Sequence, residues 1–241
     1  MAYFAVWSIW LLGVDMNWEW ITNNIIFAAA AIGFIYGIFR ILIRKKPLFM
    51  KLPVMSLGCL SISFLYFIMQ YLTRGEVPNG FNVGLFGLTG CFMFLFSCNY
   101  GQMDSLADDG NSALTKYRLL SWIPIPILIC IFVPVYLCGT PIVIIVGYSV
   151  VMLFLVNAAR FHFKHLIWPD VNYGVVRCIR GYNLTALILC FATAVLLVAE
   201  YIGNEYLYLG AGIVMSVCCI AVLPIIEMGE KRWKECSRWT R

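Results

Sequence analysis

Between residues 21 and 227 the chain is almost unbroken apolar sequence, interrupted at only six places. The pieces run approximately Ile21–Ile43, Leu52–Thr73, Phe81–Asn99, Leu119–Leu137, Pro141–Arg160, Tyr182–Ile202 and Tyr206–Glu227. Each lies near the roughly 20 residues a helix needs to cross a hydrocarbon core about 30 Å thick. Composition agrees. The 241 residues are 62% hydrophobic and 12% charged, with a mean hydropathy of +0.87, whereas a soluble domain is about 45–50% apolar and about 25% charged. Too little polar surface is left to coat a water-soluble globule. The expected fold is an all-α membrane protein, a seven-transmembrane-helix bundle over residues 21–227.

The cations orient that bundle. Arg40-Ile-Leu-Ile-Arg-Lys-Lys-Pro-Leu-Phe-Met-Lys51 places five of them between the first two runs. Cations near span ends are retained in the cytoplasm. If this loop is cytoplasmic, the same side collects Lys116, Arg118, Arg160, Lys164, Arg177, Arg180, Lys231, Arg232, Lys234, Arg238 and Arg241, leaving only Arg74 outside. The expectation is an N-terminus outside, a cytoplasmic C-terminus and a plasma-membrane location. The net charge of +5 then serves anionic lipid headgroups rather than nucleic acid. Arg44, Lys45, Lys46, Lys231, Arg232 and Lys234 are the candidate headgroup contacts.

The ends read as surface elements. Residues 1–20 carry Trp7, Trp10, Trp18 and Trp20, the side chain that favours headgroup depth, and so read as a short interfacial helix on the outer leaflet. Residues 228–241 alternate cations with Trp233 and Trp239 and read as a basic amphipathic tail on the inner leaflet. The ten cysteines fall mostly inside apolar runs, and only Cys138 approaches the outer surface, so no disulfide framework is expected. Buried thiols of this kind pack as small apolar groups.

Helices associate in lipid through small residues and close approach. Ala29, Gly33 and Gly37 form one stripe and Gly84, Gly87 and Gly90 another; both suit packing within the bundle, with a homodimer face as the alternative. Pro124, Pro126 and Pro134 in the fourth run and Pro224 in the last remove backbone donors and favour kinks.

Ionisable groups inside a bilayer are costly and mark function. The span centres show none, and His162 and His165 read as members of a cytoplasmic loop over 161–181. No catalytic, cofactor-binding or metal site is therefore expected. His162, His165 and Asp170 are too few for a convincing metal set. The loop with Asp104, Asp108 and Asp109 lacks the alternating oxygens of a calcium loop. Asp109-Gly-Asn-Ser-Ala113 resembles the start of the membrane CDP-alcohol phosphotransferase signature, but Leu114 stands at that family's Arg, which excludes it. Uncharged polar groups remain, and Gln70, Asn157 and Asn183 are the candidate lining of a small polar cavity.

The topology resembles seven-helix receptors and seven-helix sugar facilitators. The last run holds no lysine for retinal, no Asn or Tyr stands at the receptor positions around Pro224, and the facilitators' Pro-Gln pair is missing. No family follows. The functional expectation is a non-enzymatic sensor or signalling partner acting on a separate membrane or cytoplasmic effector. Its candidate contact surface is Asp104, Asp108, Asp109, Lys164, Arg177 and Arg180. A facilitator of a small uncharged solute and a structural subunit of a membrane complex are the alternatives.

Overall fold

The computed structural model describes residues 18–75, 81–99, 112–137, 140–169 and 175–239. Their regular structure is all helical, with no strand among the described residues. Six segments are long and apolar enough to cross a membrane: Trp18–Leu42, Leu48–Arg74, Thr115–Leu137, Ile142–Ile167, Arg180–Ile202 and Glu205–Glu235. A seventh apolar helix, Val83–Ser97, has 15 residues and reaches about 22 Å at 1.5 Å per residue, less than a full hydrocarbon core.

In chain order the helices are α1 (Trp18–Gly37), α2 (Leu48–Arg74), α3 (Val83–Ser97), α4 (Thr115–Leu120), α5 (Pro124–Leu137), α6 (Ile142–Ile167), α7 (Val175–Cys178), α8 (Arg180–Ile202) and α9 (Glu205–Trp239). α1 widens into a π-helical turn over Ile38–Leu42. α2 and α8 end at Gly75 and Gly203, whose φ of 77° and 66° lets the chain leave the helix at little steric cost. The fourth run is broken. α4 stops at Leu120, Ser121 donates to the Arg118 carbonyl at 2.6 Å, and α5 begins on Pro124, a residue that suits a first turn because its missing N–H would be unpaired there anyway.

α1, α2, α3, α6, α8 and α9 pack side by side into a closed ring, the last helix returning to the first, and α5 sits outside it against α6 and α8. Ile26, Val54, Leu57, Leu88, Phe92, Leu155, Ala186, Cys190, Met215 and Leu223 meet in the middle. The outer faces remain apolar; Ile32 is 58% exposed and Val217 62%, as lipid-facing side chains should be. Both glycine stripes are spent on the chain's own neighbours. A Cβ on Gly33 would meet the Cys219 carbonyl oxygen at 2.7 Å, one on Gly37 the Val54 and Leu223 side chains, and one on Gly87 the Ser63 Cβ at 2.8 Å.

Two segments expected to be separate are continuous helix. α6 runs two turns past Arg160 to Ile167 and stops only at Trp168, whose ψ of 132° is the extended backbone a residue before proline adopts. The expected tail from residue 228 is the continuation of α9, which runs unbroken to Trp239. Of the expected outer segment 1–20, residues 1–17 lie outside the described residues, and Trp18 and Trp20 open α1.

Candidate functional site

The extension of α6 overturns the placement of the histidines. His162 and His165 are helical, and each is 0% exposed. They occupy the face that Leu155, Ala158 and Ala159 bury one and two turns earlier, the i, i+3, i+4 repeat that puts residues on one side of a helix. The interior therefore holds imidazoles where the sequence suggested none.

His162 meets two carboxamides. Asn99, just past the end of α3, brings its Nδ2 to 2.6 Å from His162 Nδ1 and to 3.0 Å from Asn183 Oδ1. Asn183, in the first turn of α8, brings that Oδ1 to 2.9 Å from the same Nδ1. All three side chains are fully buried. An amide nitrogen donates, an amide oxygen accepts, and an imidazole nitrogen does one or the other. A triangle of such atoms therefore holds at most two hydrogen bonds. Either tautomer fills two edges: with Nδ1 unprotonated, Asn99 Nδ2 donates to both His162 Nδ1 and Asn183 Oδ1, and with Nδ1 protonated, Asn99 Nδ2 and His162 Nδ1 both donate to Asn183 Oδ1. The third edge then sets two acceptors, or two donors, against each other.

The remaining atoms are unsatisfied too. His162 Nε2, Asn99 Oδ1 and Asn183 Nδ2 are buried with no hydrogen-bond partner among the described residues, and each such group costs about 1–3 kcal/mol. The Tyr182 ring stands edge-on to the imidazole at 5.4 Å between centroids. Beside it the Cys98 thiol donates to the Phe49 carbonyl at 3.1 Å, so α2 joins α3, α6 and α8 around the cluster. The geometry joins these helices through a polar centre that could exchange one hydrogen-bond arrangement for another at small cost.

A second polar network lies at the same end, between α1, the following loop and α9. Tyr36 donates to Glu227 Oε2 at 2.7 Å, and Arg40 Nη2 is 3.7 Å from the same oxygen. One turn on, Glu230 accepts from Lys46 and, at 2.7 Å, from Lys234. The Glu230 side chain is 1% exposed, so its charge is held by both ammonium groups. A buried carboxylate without such partners would be very costly.

The opposite end carries a cavity of about 150 Å³ lined by Glu19, Glu200, Glu205, Asn204, Tyr208, Ala199 and Gly203. Tyr208, one of its lining residues, donates to Asn23 Oδ1 at 2.7 Å. Among the described residues no group of three or more His, Cys, Asp or Glu is placed to hold a metal ion.

The three candidate cavity residues do not come together. Gln70 stands near the Arg74 end of α2, the end away from Asn183. Asn157 donates to the Leu153 carbonyl of its own helix at 2.7 Å and faces an outer groove between α5 and α6 with Tyr136 and Ser149. Asn183 alone lies in a polar cluster. Of the candidate contact surface, Asp104, Asp108 and Asp109 lie outside the described residues. Lys164 is a correction: it is 6% exposed, because the segment is helix rather than loop, and its ammonium sits 4.9 Å from the Trp168 ring centroid. Arg180 donates to the Trp168 carbonyl at 3.0 Å, and Arg177 is exposed. Of the headgroup candidates, Arg44, Lys45, Lys231 and Arg232 are exposed, while Lys46 and Lys234 pair with Glu230.

Compared with family models, curated proteins and solved structures, the chain shows no match.

Proposed function

We propose that this is a non-enzymatic multi-pass membrane protein with seven spans, its N-terminus outside and its C-terminus in the cytoplasm, that acts as a sensor or signalling partner for a separate effector. One observation carries the reading: α9 is a single helix from Glu205, at the outer cavity, to Trp239. Its 35 residues extend about 52 Å, well beyond a core of about 30 Å. Pro224 removes one bond from its ladder, but the helix continues past it without a break, so a shift of its inner half is carried into the tail.

The polar centre supports the same reading. A ligand or partner shifts a conformational equilibrium only through different affinities for its two states, and the His162 triangle is a place where two arrangements lie close in energy. A facilitator role draws no support from Gln70, Asn157 and Asn183, which do not come together.

The test is a hinge. Two glycines inserted after Glu235, past Glu230 and Lys234, uncouple the end of the tail from the spans and leave those contacts in place. Affinity purification from native membranes should recover a stoichiometric effector with the wild-type chain, and the insertion should abolish its regulation while leaving the bundle folded. Recovery of no stoichiometric effector, or regulation indifferent to the hinge, would overturn the proposal.

A further inference from the structure

Glu230 does more than neutralise itself. Lys46 comes from the loop after α1 and Lys234 from the next turn of α9, and both reach the same carboxylate. That contact draws two cationic segments, 184 positions apart, to one place. Arg44 and Lys45 flank Lys46 and are exposed; Lys231 follows Glu230 and is exposed as well. At 3.6 residues per turn, Glu227, Glu230, Lys231 and Lys234 share one side of α9, whereas Arg232 lies about 200° round from Glu230. The side of α9 that meets the loop therefore offers Lys231 and Lys234 beside Arg44, Lys45 and Lys46.

The surroundings say what such a patch meets. Large apolar side chains are exposed beside it: Phe39 64%, Ile43 69%, Leu48 51% and Met228 49%. A soluble anion has no use for that border, but a phospholipid does, because its phosphate faces the cations while its chains lie along the apolar side chains. We propose that Arg44, Lys45, Lys46, Lys231 and Lys234 form one composite site for the headgroup of an anionic phospholipid, assembled by Glu230. The lipid phosphate and the Glu230 carboxylate share Lys46 and Lys234, so occupancy of the site tightens the junction between the first hairpin and the last helix. The inference rests on the membrane-spanning reading but not on the sensor role.

The whole chain purified in a neutral maltoside detergent supplies the test. Added phosphatidylglycerol should raise the thermal midpoint by about 2–4 °C more than equal phosphatidylcholine. Native mass spectrometry should find phosphatidylglycerol retained in preference. The double variant Lys45→Gln/Lys231→Gln removes only exposed charges, so it should melt as the wild type does without lipid and lose most of the phosphatidylglycerol effect. Arg74→Gln, at the other end, should keep it. Equal responses to the two lipids, or a full effect in the double variant, would overturn the site. Inorganic phosphate reproducing the shift would mark a soluble-anion site and overturn the lipid assignment. None of these outcomes depends on an effector, so failure here and failure of the sensor reading are separable.

Discussion

Two polar networks near one end of the bundle solve opposite problems. The Glu227–Glu230 network is charged and matched: each carboxylate has more than one partner. The His162 triangle is uncharged and mismatched, with three contacts where two hydrogen bonds are possible. The difference follows from cost. An unpaired ion near lipid is too expensive to persist, so both carboxylates of the charged network are partnered and it should be stiff. A neutral group left short of a partner costs far less, so mismatch can survive there and leave room for a second arrangement.

The comparison can be broken most easily at Glu230. Glu230→Ala strands Lys46 beside a loop of like charges, and the loss should be about 3–5 kcal/mol. Glu230→Leu combined with Lys46→Met should recover most of it, since the apolar pair leaves no buried ion behind and Lys234, 57% exposed, can turn to solvent. Both are read by thermal unfolding in detergent. Tyr36→Phe removes one hydrogen bond to a carboxylate and should cost about 1.5–3 kcal/mol, measured by the same melt. Arg40→Gln sharpens the contrast within the charged network. Its side chain is 40% exposed and its contact is 3.7 Å, so the effect should be about 0.2–1 kcal/mol and should shrink as salt is added. Smallest is Asn183→Leu, which leaves Asn99 and His162 as a pair whose bond is unopposed. It should change stability by less than about 1 kcal/mol; a loss as large as that of Glu230→Ala would mean the triangle is a matched network after all.

The long apolar helices were readable from hydropathy because lipid imposes it on every span. The first span begins and ends within a few residues of expectation, at Trp18 and Leu42 rather than Ile21 and Ile43. What hydropathy cannot read is helix that continues after polar residues appear. α6 passes Arg160 because its guanidinium stacks over the Trp122 ring, 3.7 Å from the centroid, and α9 passes Glu227 because Tyr36 and Arg40 meet it. A signal for the buried histidines was present. Leu155, Ala158, Ala159, His162 and His165 keep the spacing of one helical face, and that periodicity outlasts the apolar run. The triangle itself had no such signal, since Asn99, His162 and Asn183 meet only through the order of the ring.

That ring has a consequence for how the protein is made. α1 presents Gly33 and Gly37 to a neighbour that is synthesised much later, Cys219 and Leu223 of α9. Until α9 leaves the ribosome the circle stays open, with a notch on one flank and the partners of Glu227 and Glu230 waiting without their carboxylates. A chain cut short before α9 would therefore lack not merely one helix but the keystone that shuts the ring, and membrane quality control would meet an open horseshoe rather than a smaller bundle.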